Sequence, residues 1–145
     1  MDICRGSVYF IQHREVTSPK PHFLIVLNND IENDEYIMFG VVTSKVKEAK
    51  ARILSNHELP ETLVEISPAD YPELDMDSAV DCNSPVKWNQ FELKSNLRQI
   101  KPYQKADLNP DICEKIVDGV MKSKAVSPKL KNCLRKKEKG SPDHA

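Results

Sequence analysis

Gly6-Ser-Val-Tyr-Phe-Ile-Gln12, His13-Arg-Glu-Val-Thr-Ser-Pro-Lys-Pro21 and His22-Phe-Leu-Ile-Val-Leu27 follow one another without a break, and their contrast decides how the chain is read. The first piece concentrates β-branched and aromatic side chains, which suit a pleated surface, so it predicts a first strand. The second is polar and holds Pro19 and Pro21, neither of which can donate into a sheet ladder. It predicts a loop. The third is an almost continuous apolar run, the pattern of a strand covered on both faces. Turn formers from Asn28 to Glu35 interrupt it, without the glycine and terminal Glu spacing of a calcium loop. Tyr36 to Ser44 then resumes as a third strand.

Outward from this core the pattern weakens. Ser44 to Leu54 is rich in alanine and lysine, which favour helix, yet apolar positions 46, 49, 53 and 54 form only a narrow stripe. Leu63–Ile66 predicts a short strand, Asp70–Asp77 an acidic loop, and Ala79–Asn83 another strand stopped by Ser84-Pro85. Asn96 to Tyr103 alternates apolar and polar side chains over a few positions, predicting a final edge strand that ends near Pro102. Asn109-Pro110-Asp111 then supplies a capping residue, proline at the first helical position and an early acid. Ile112, Ile116, Val117 and Val120 give that helix one apolar face, against which Gly119 costs about 1 kcal/mol relative to alanine. Ser127-Pro128 opens a second short helix reaching to about Lys137. Five or six short strands followed by C-terminal helices predict a mainly β protein built on a small, strongly curved antiparallel sheet or barrel. No internal repeat is visible.

Composition narrows the class. Ile, Leu, Val and Phe supply 37 of the 145 residues, about a quarter, which exceeds the ~20% below which chains stay disordered. The longest apolar run, Phe23 to Leu27, falls well short of the ~18 residues of a membrane helix. The first residues lack the basic flank and apolar stretch of a secretion signal, so a soluble, cytoplasmic protein without a membrane role is expected. Cys4, Cys82, Cys113 and Cys133 contain no close pair of the kind zinc sites use, and free thiols are expected over disulfides. The 21 basic and 22 acidic residues nearly cancel, but unevenly. Lys122 to Lys139 holds eight basic residues against the single acid Glu138. Two units are therefore expected: 1–124 as the folded body and 125–145 as a basic helical or flexible tail. The tail is either a solvated end, an arm for RNA, or a segment that folds back onto the acidic body.

Motifs for phosphate cradles, zinc proteases and serine hydrolases are absent, and His13, His22, His57 and His144 are too dispersed to suggest a metal site. What remains is the order of short features. A glycine opens the first strand, a loop ends in Lys20-Pro21 before an apolar strand, and the next strand runs into Val41-Val42-Thr43-Ser44. Val80-Asp-Cys-Asn-Ser-Pro85 and Leu97-Arg-Gln-Ile-Lys101 follow, and the 111–124 helix comes last. In this order the chain resembles the PemK/MazF/Kid toxin family over about residues 5–124. Members of that family carry Arg-Pro at the loop end, Thr-Ser or Thr-Thr at the strand end, and a strand ending in Cys-Asp-Gln-Pro or similar.

The resemblance implies an SH3-like curved barrel, usually a homodimer, that cleaves single-stranded RNA without metal or cofactor and is neutralised by an antitoxin protein. It also implies the site. Lys20, His22, Thr43 and Asn83 fall on or beside the catalytic positions; His13, Arg14, Ser44, Lys87 and Trp88 fall where RNA would be contacted. Metal-free cleavage needs a base for the ribose 2′-hydroxyl, an acid for the leaving oxygen and donors for the phosphorane charge. His22 can serve as base or acid near neutral pH, and Trp88 can stack an unpaired base. Departures are specific. Lys20 replaces a planar arginine fork with a point charge, Asn83 replaces an acid with an amide, and the family arginine after the proline falls on Val86 or Lys87. The expected activity is thus a toxin-like endoribonuclease weakened at altered positions; the alternative is a non-catalytic SH3-like module that binds RNA or protein.

Overall fold

The computed structural model describes residues 3–135. Strands β1 (Val8–Ile11), β2 (His22–Val26) and β3 (Tyr36–Thr43) come first, followed by helix α1 (Val46–Ser55). A single 3-10 turn, Pro60–Thr62, leads into β4 (Leu63–Ile66), β5 (Ser78–Asp81) and β6 (Val86–Asn89), and β6 passes directly into helix α2 (Gln90–Ile100). A second turn, Lys101–Tyr103, precedes the short β7 (Gln104–Lys105), after which come α3 (Pro110–Lys122) and α4 (Pro128–Asn132). All strand pairs are antiparallel, in the order β4-β5-β3-β2-β1-β7, with β6 also on β3. Among the described residues β4 and β7 end this order without pairing to each other, so the sheet is open where a closed barrel was expected.

The register explains the curvature. One edge of β3 holds β2, with Leu24 opposite Val41 and Val26 opposite Phe39. Its other edge is divided: Tyr36 to Phe39 pair with β6, while Val42 and Thr43 pair with Val80 and Ala79 of β5. The segment 79–89 therefore follows β3, leaves the ladder at 81–85 and rejoins it. That excursion frees β5 to pair with β4 on its far side, from Leu63 opposite Asp81 to Ile66 opposite Ser78.

Because side chains alternate across a strand, the register sorts two cores onto two faces. Tyr9, Ile11, Leu24, Val26, Ile37 and Phe39 share one face with Val86 and Trp88, and α2 covers it through Leu93 and Ile100. Val8, Ile25, Leu27, Met38, Val42 and Val80 share the other, and α3 covers it through Cys113, Ile116, Val117 and Val120. Leu24 to Leu27 are each 0–1% exposed, as the continuous apolar run predicts. Each such side chain contributes about 1.5–3 kcal/mol of burial.

A buried amide closes the strand turn. Asn28, fully buried, donates from Nδ2 to Asp34 Oδ2 at 2.9 Å and to the Tyr36 carbonyl at 2.7 Å, and its Oδ1 accepts from Met38 N–H at 2.6 Å. The Cys133 carbonyl lies 3.4 Å from the same Nδ2, which carries the C-terminal part of the described chain to this turn. Arg5 reinforces the join by donating to the carbonyls of Leu27 and Leu134. Val126, Cys133 and Leu134 are buried in the α3-side core. Of the basic run, Lys136, Lys137 and Lys139 lie outside the described residues, as does the end of the helix expected to reach Lys137.

One expected element is corrected. Asn96–Tyr103 is not an edge strand; it is the second half of α2 followed by the Lys101–Tyr103 turn. The reason lies upstream, at Asn89-Gln-Phe-Glu92. Asn89 Oδ1 accepts from Glu92 N–H at 2.8 Å while Glu92 Oε1 accepts from Asn89 N–H at 3.0 Å, a capping box that starts a helix. Leu93, Leu97 and Ile100 then recur at helical spacing toward the core. The strand beside β1 is instead β7. The ambiguous stretch after Ser44 is helix α1, with Ala49 and Ile53 buried and Leu54 exposed.

Gly119 reverses the expectation drawn from propensity. A Cβ built there would stand 2.6 Å from Cys82 Sγ and 3.0 Å from both Cys82 Cβ and the Glu61 carbonyl. Helix α3 can approach the β5–β6 excursion only with glycine at this point. Gly119→Ala is expected to destabilise the protein by about 1–3 kcal/mol, overpacking outweighing the gain in helix propensity. Urea unfolding monitored by circular dichroism measures it; an increase in stability would contradict this packing.

Candidate functional site

Strand ends bring the chemistry together. Ile11 stands opposite His22, Leu24 opposite Val41 and Thr43 opposite Ala79. Extending the β2–β3 register by two residues places His22 and Thr43 at the same end of that pair, and alternation gives them the same face. Lys20, two residues before His22 in the β1–β2 loop, is exposed. His22 Nδ1 lies 2.9 Å from the Lys20 carbonyl oxygen, which can only accept, so Nδ1 carries a proton and donates. In the neutral ring the other nitrogen, Nε2, is then the one that carries the lone pair. A backbone carbonyl thus sets the tautomer, the arrangement a general base requires.

On the neighbouring strand end, Thr43 Oγ1 accepts from Lys45 N–H at 3.1 Å, and Ser44 and Lys45 are exposed. Helix α1 starts immediately afterwards with Lys45 at its N-cap and no side-chain cap. The first-turn N–H groups of a helix favour negative charge. At this end of the β2–β3 pair the chain therefore presents His22 and Thr43 on the strands, with Lys20 just before β2 and Ser44 and Lys45 just after β3. Lys45 is absent from the sequence-derived set. Its position directly after Thr43-Ser44 is the signal, hidden because the stretch that contains it reads equally as helix or not.

Asn83 occupies the 81–85 excursion, four residues past Ala79, the cross-strand partner of Thr43. Its Nδ2 donates to Thr62 Oγ1 at 2.9 Å and to Asp81 Oδ1 at 3.0 Å, and its buried Oδ1 has no partner. Asp81, 9% exposed, also pairs with Arg52 from the far end of α1 at 3.2 Å. These contacts shape the excursion.

His13, Arg14, Lys87 and Trp88 form a third group, where the β1–β2 loop meets β6 and α2. Arg14 grips Glu92 with two bonds of 2.9 and 3.1 Å and reaches Glu15 at 3.0 Å. The hydrogen bond from Arg14, with the Asn89 N–H second, holds the Glu92 carboxyl below its usual range. Lys87 Nζ sits 3.6 Å from Glu15 Oε2 and 5.8 Å from the Tyr36 ring centre. Trp88 is only 6% exposed, packed edge-on to Phe39 at 5.3 Å and stacked on His13 at 5.5 Å. His13, 5% exposed, has both ring nitrogens bonded to backbone. Phe91, by contrast, is 78% exposed on α2.

Other potential sites contribute little. Among the described residues no group of three or more His, Cys, Asp or Glu is placed to hold a metal ion, and no helix is long and apolar enough to cross a membrane. A pocket of about 290 Å³ on the α3 side, lined by Arg5, Glu114, Asp118 and Arg135 among others, contains none of the groups above.

No family model matches this chain, and no curated protein matches it. Solved structures do. An endoribonuclease in complex with its cognate antitoxin from a mycobacterial species is similar at 13% identity, over 81% of this chain and 90% of that chain, with a TM-score of 0.47. The Mycobacterium tuberculosis toxin MazF-mt6 is similar at 9% identity, over 79% of this chain and 91% of that chain, with a TM-score of 0.45.

The cysteines give a direct check on the folded state. They form no disulfide, and Cys4 is exposed whereas Cys82, Cys113 and Cys133 are buried. Burial, with a smaller contribution from Asp81, pushes the Cys82 thiol up to about 12; burial pushes Cys113 up to about 11. Since only the thiolate reacts, a thiol reagent at pH 8 is expected to label Cys4 alone in the native protein and every cysteine after denaturation. Mass mapping of the label reads this out.

Proposed function

We propose that this chain is a PemK/MazF-like, metal-independent endoribonuclease acting on single-stranded RNA, with a site rearranged around Lys20 and His22. The order of features along residues 5–124 supports the family reading, including an SH3-like curl of the sheet left open at its edge. The observation that carries the activity is the His22 imidazole, held through Nδ1 by the Lys20 carbonyl, at the end of β2 where β3 ends in Thr43.

In this reading His22 Nε2 takes the proton of the ribose 2′-hydroxyl as its oxygen attacks phosphorus. The bond from phosphorus to the 5′-oxygen breaks, leaving a 2′,3′-cyclic phosphate and a 5′-hydroxyl. The Lys20 ammonium supplies the proton to the departing 5′-oxygen; the His22 imidazolium then releases its proton to solvent as Lys20 regains one, which restores both groups. Hydroxyl and N–H donors at Thr43, Ser44 and the start of α1 take the charge building on the phosphorane oxygens. Asn83 shapes the β5–β6 excursion, and His13, Arg14, Lys87 and Trp88 hold the loop in place. A cytoplasmic homodimer and an antitoxin that covers the Lys20–Thr43 surface complete the proposal. One feature favours a second reading, a non-catalytic module that binds RNA or a peptide. The family acid position is the amide Asn83.

Purified protein incubated with single-stranded RNA in the presence of a chelator is expected to produce cyclic-phosphate or 3′-phosphate ends. His22→Ala and Lys20→Ala are each expected to slow cleavage by about 10²–10⁴-fold, the usual worth of a proton-transfer group. Tight binding without cleavage would establish the module reading. Cleavage unaffected by both substitutions would remove the site from consideration.

A further inference from the structure

Loop 12–21 carries Lys20 and leads into His22, so whatever fixes the loop fixes that end of the sheet. Its own polar residues are mostly exposed; His13 is the exception, at 5% exposure. The Glu15 N–H donates to His13 Nδ1 at 3.0 Å, so that nitrogen is unprotonated and acts as acceptor. The proton therefore sits on Nε2, which lies 3.0 Å from the Lys87 carbonyl oxygen and donates to it. The ring stacks on Trp88 at 5.5 Å with 19° between planes and meets Phe39 at 6.1 Å. One neutral imidazole thus joins the loop to β6, and the Val16 N–H bonded to the His13 carbonyl at 3.0 Å tightens the turn behind it.

We propose that His13 is a proton-operated latch: neutral, it pins loop 12–21 to β6, and protonated, it lets the loop go. A second ring proton would sit on Nδ1 and face the Glu15 N–H, setting two donors against each other. The acceptor that the Glu15 amide uses would be gone.

The charges around the ring decide the direction. Burial disfavours the cation most strongly, and the Arg14 guanidinium adds to that effect. The Glu15 and Glu92 carboxylates and the Lys87 carbonyl oppose it. The balance holds the His13 imidazole below its ordinary value. Lys87 Nζ, the remaining cation nearby, lies against Glu15. Since the folded value is lowered, His13 contributes stability that is present above about pH 6.5 and is lost as pH falls through the folded value. The loop's other ties to the body are the two-bonded Arg14–Glu92 pair, the Lys87–Glu15 pair, the Lys87 N–H donated to Glu15 Oε1 at 3.2 Å, and Val16 against the α2-side core. They are fewer and more exposed than the strand ladders behind them, so the loop is the element that loosens when the His13 contacts are lost.

The consequence for RNA cleavage rests on the ribonuclease reading; the latch does not. Trp88 is the only tryptophan in the chain and lies against the ring, so its fluorescence reports the protonation of His13 directly. In the full-length protein titrated from pH 8 to 5, Trp88 emission is expected to change in one step with its midpoint below about 6.5. Over the same step, hydrogen-exchange protection of the Glu15 and Val16 amides is expected to fall several-fold while that of Val26 and Leu27 holds. His13→Gln, which keeps a neutral donor toward Lys87, is expected to lose the step. Should that variant not fold, the ring resonances of His13 in the unaltered protein give the midpoint by NMR. A missing step, a step that survives in His13→Gln, a midpoint at or above the ordinary histidine value, or loss of protection throughout the sheet would each overturn the latch. The step without RNA cleavage at any pH would leave the latch standing and remove the ribonuclease reading.

Discussion

Strand β3 is the constraint on which the rest of the structure depends. It is paired along both edges and buried on both faces, and its second edge is divided between β6 and β5. A strand so enclosed cannot slip by one residue without exchanging the two cores, because every side chain would change face. The division of its edge also explains why 81–85 leave the ladder, and that excursion makes room for the close approach of α3 at Gly119. Sheet curvature, helix packing and the position of β4 are therefore consequences of one pairing pattern.

The same pattern sets where chemistry can occur. Polar groups that enter the sheet interior are engaged there. Asn28 satisfies the turn between β2 and β3, and Tyr71 donates its hydroxyl to the Ala106 carbonyl. Residues at the strand ends are less enclosed: Lys20 is exposed and His22 half-buried. Salt bridges at the surface, such as Lys50 to Glu65 and Lys129 to Glu35, join exposed partners and add little to stability. Apolar burial on two faces carries the fold, which leaves the ends of β2 and β3 free to carry a site.

Much of the candidate site was legible before any coordinates. Lys20-Pro21 marked the loop end and Thr43-Ser44 the strand end, because proline and clustered hydroxyls punctuate strands for local steric and hydrogen-bonding reasons. That the ends of β2 and β3 lie at one end of the same pair was not legible, since it depends on their antiparallel register. Residue type misled in the other direction at His13, Arg14, Lys87 and Trp88. These are the residues that contact RNA in many proteins, yet here Arg14 and Lys87 are matched with Glu92 and Glu15, and His13 and Trp88 stack on one another. Partners separated by more than seventy residues leave no local trace.

By itself the sequence determined the first three strands, the buried run at Leu24–Leu27, the capped helix after Asn109 and the absence of a membrane helix, since each follows from short-range pattern and backbone chemistry. It also contained the capping box at Asn89–Glu92, a local signal that outweighs the short alternation after Asn96. Tertiary structure alone decided that β4 and β7 do not pair with each other among the described residues, that Gly119 is required by Cys82, that Asn83 is engaged by Thr62 and Asp81, and that His13 is clasped between Glu15 and Lys87. All four depend on contacts between distant stretches of chain, and which stretches meet is settled by how two apolar faces of one sheet are buried together.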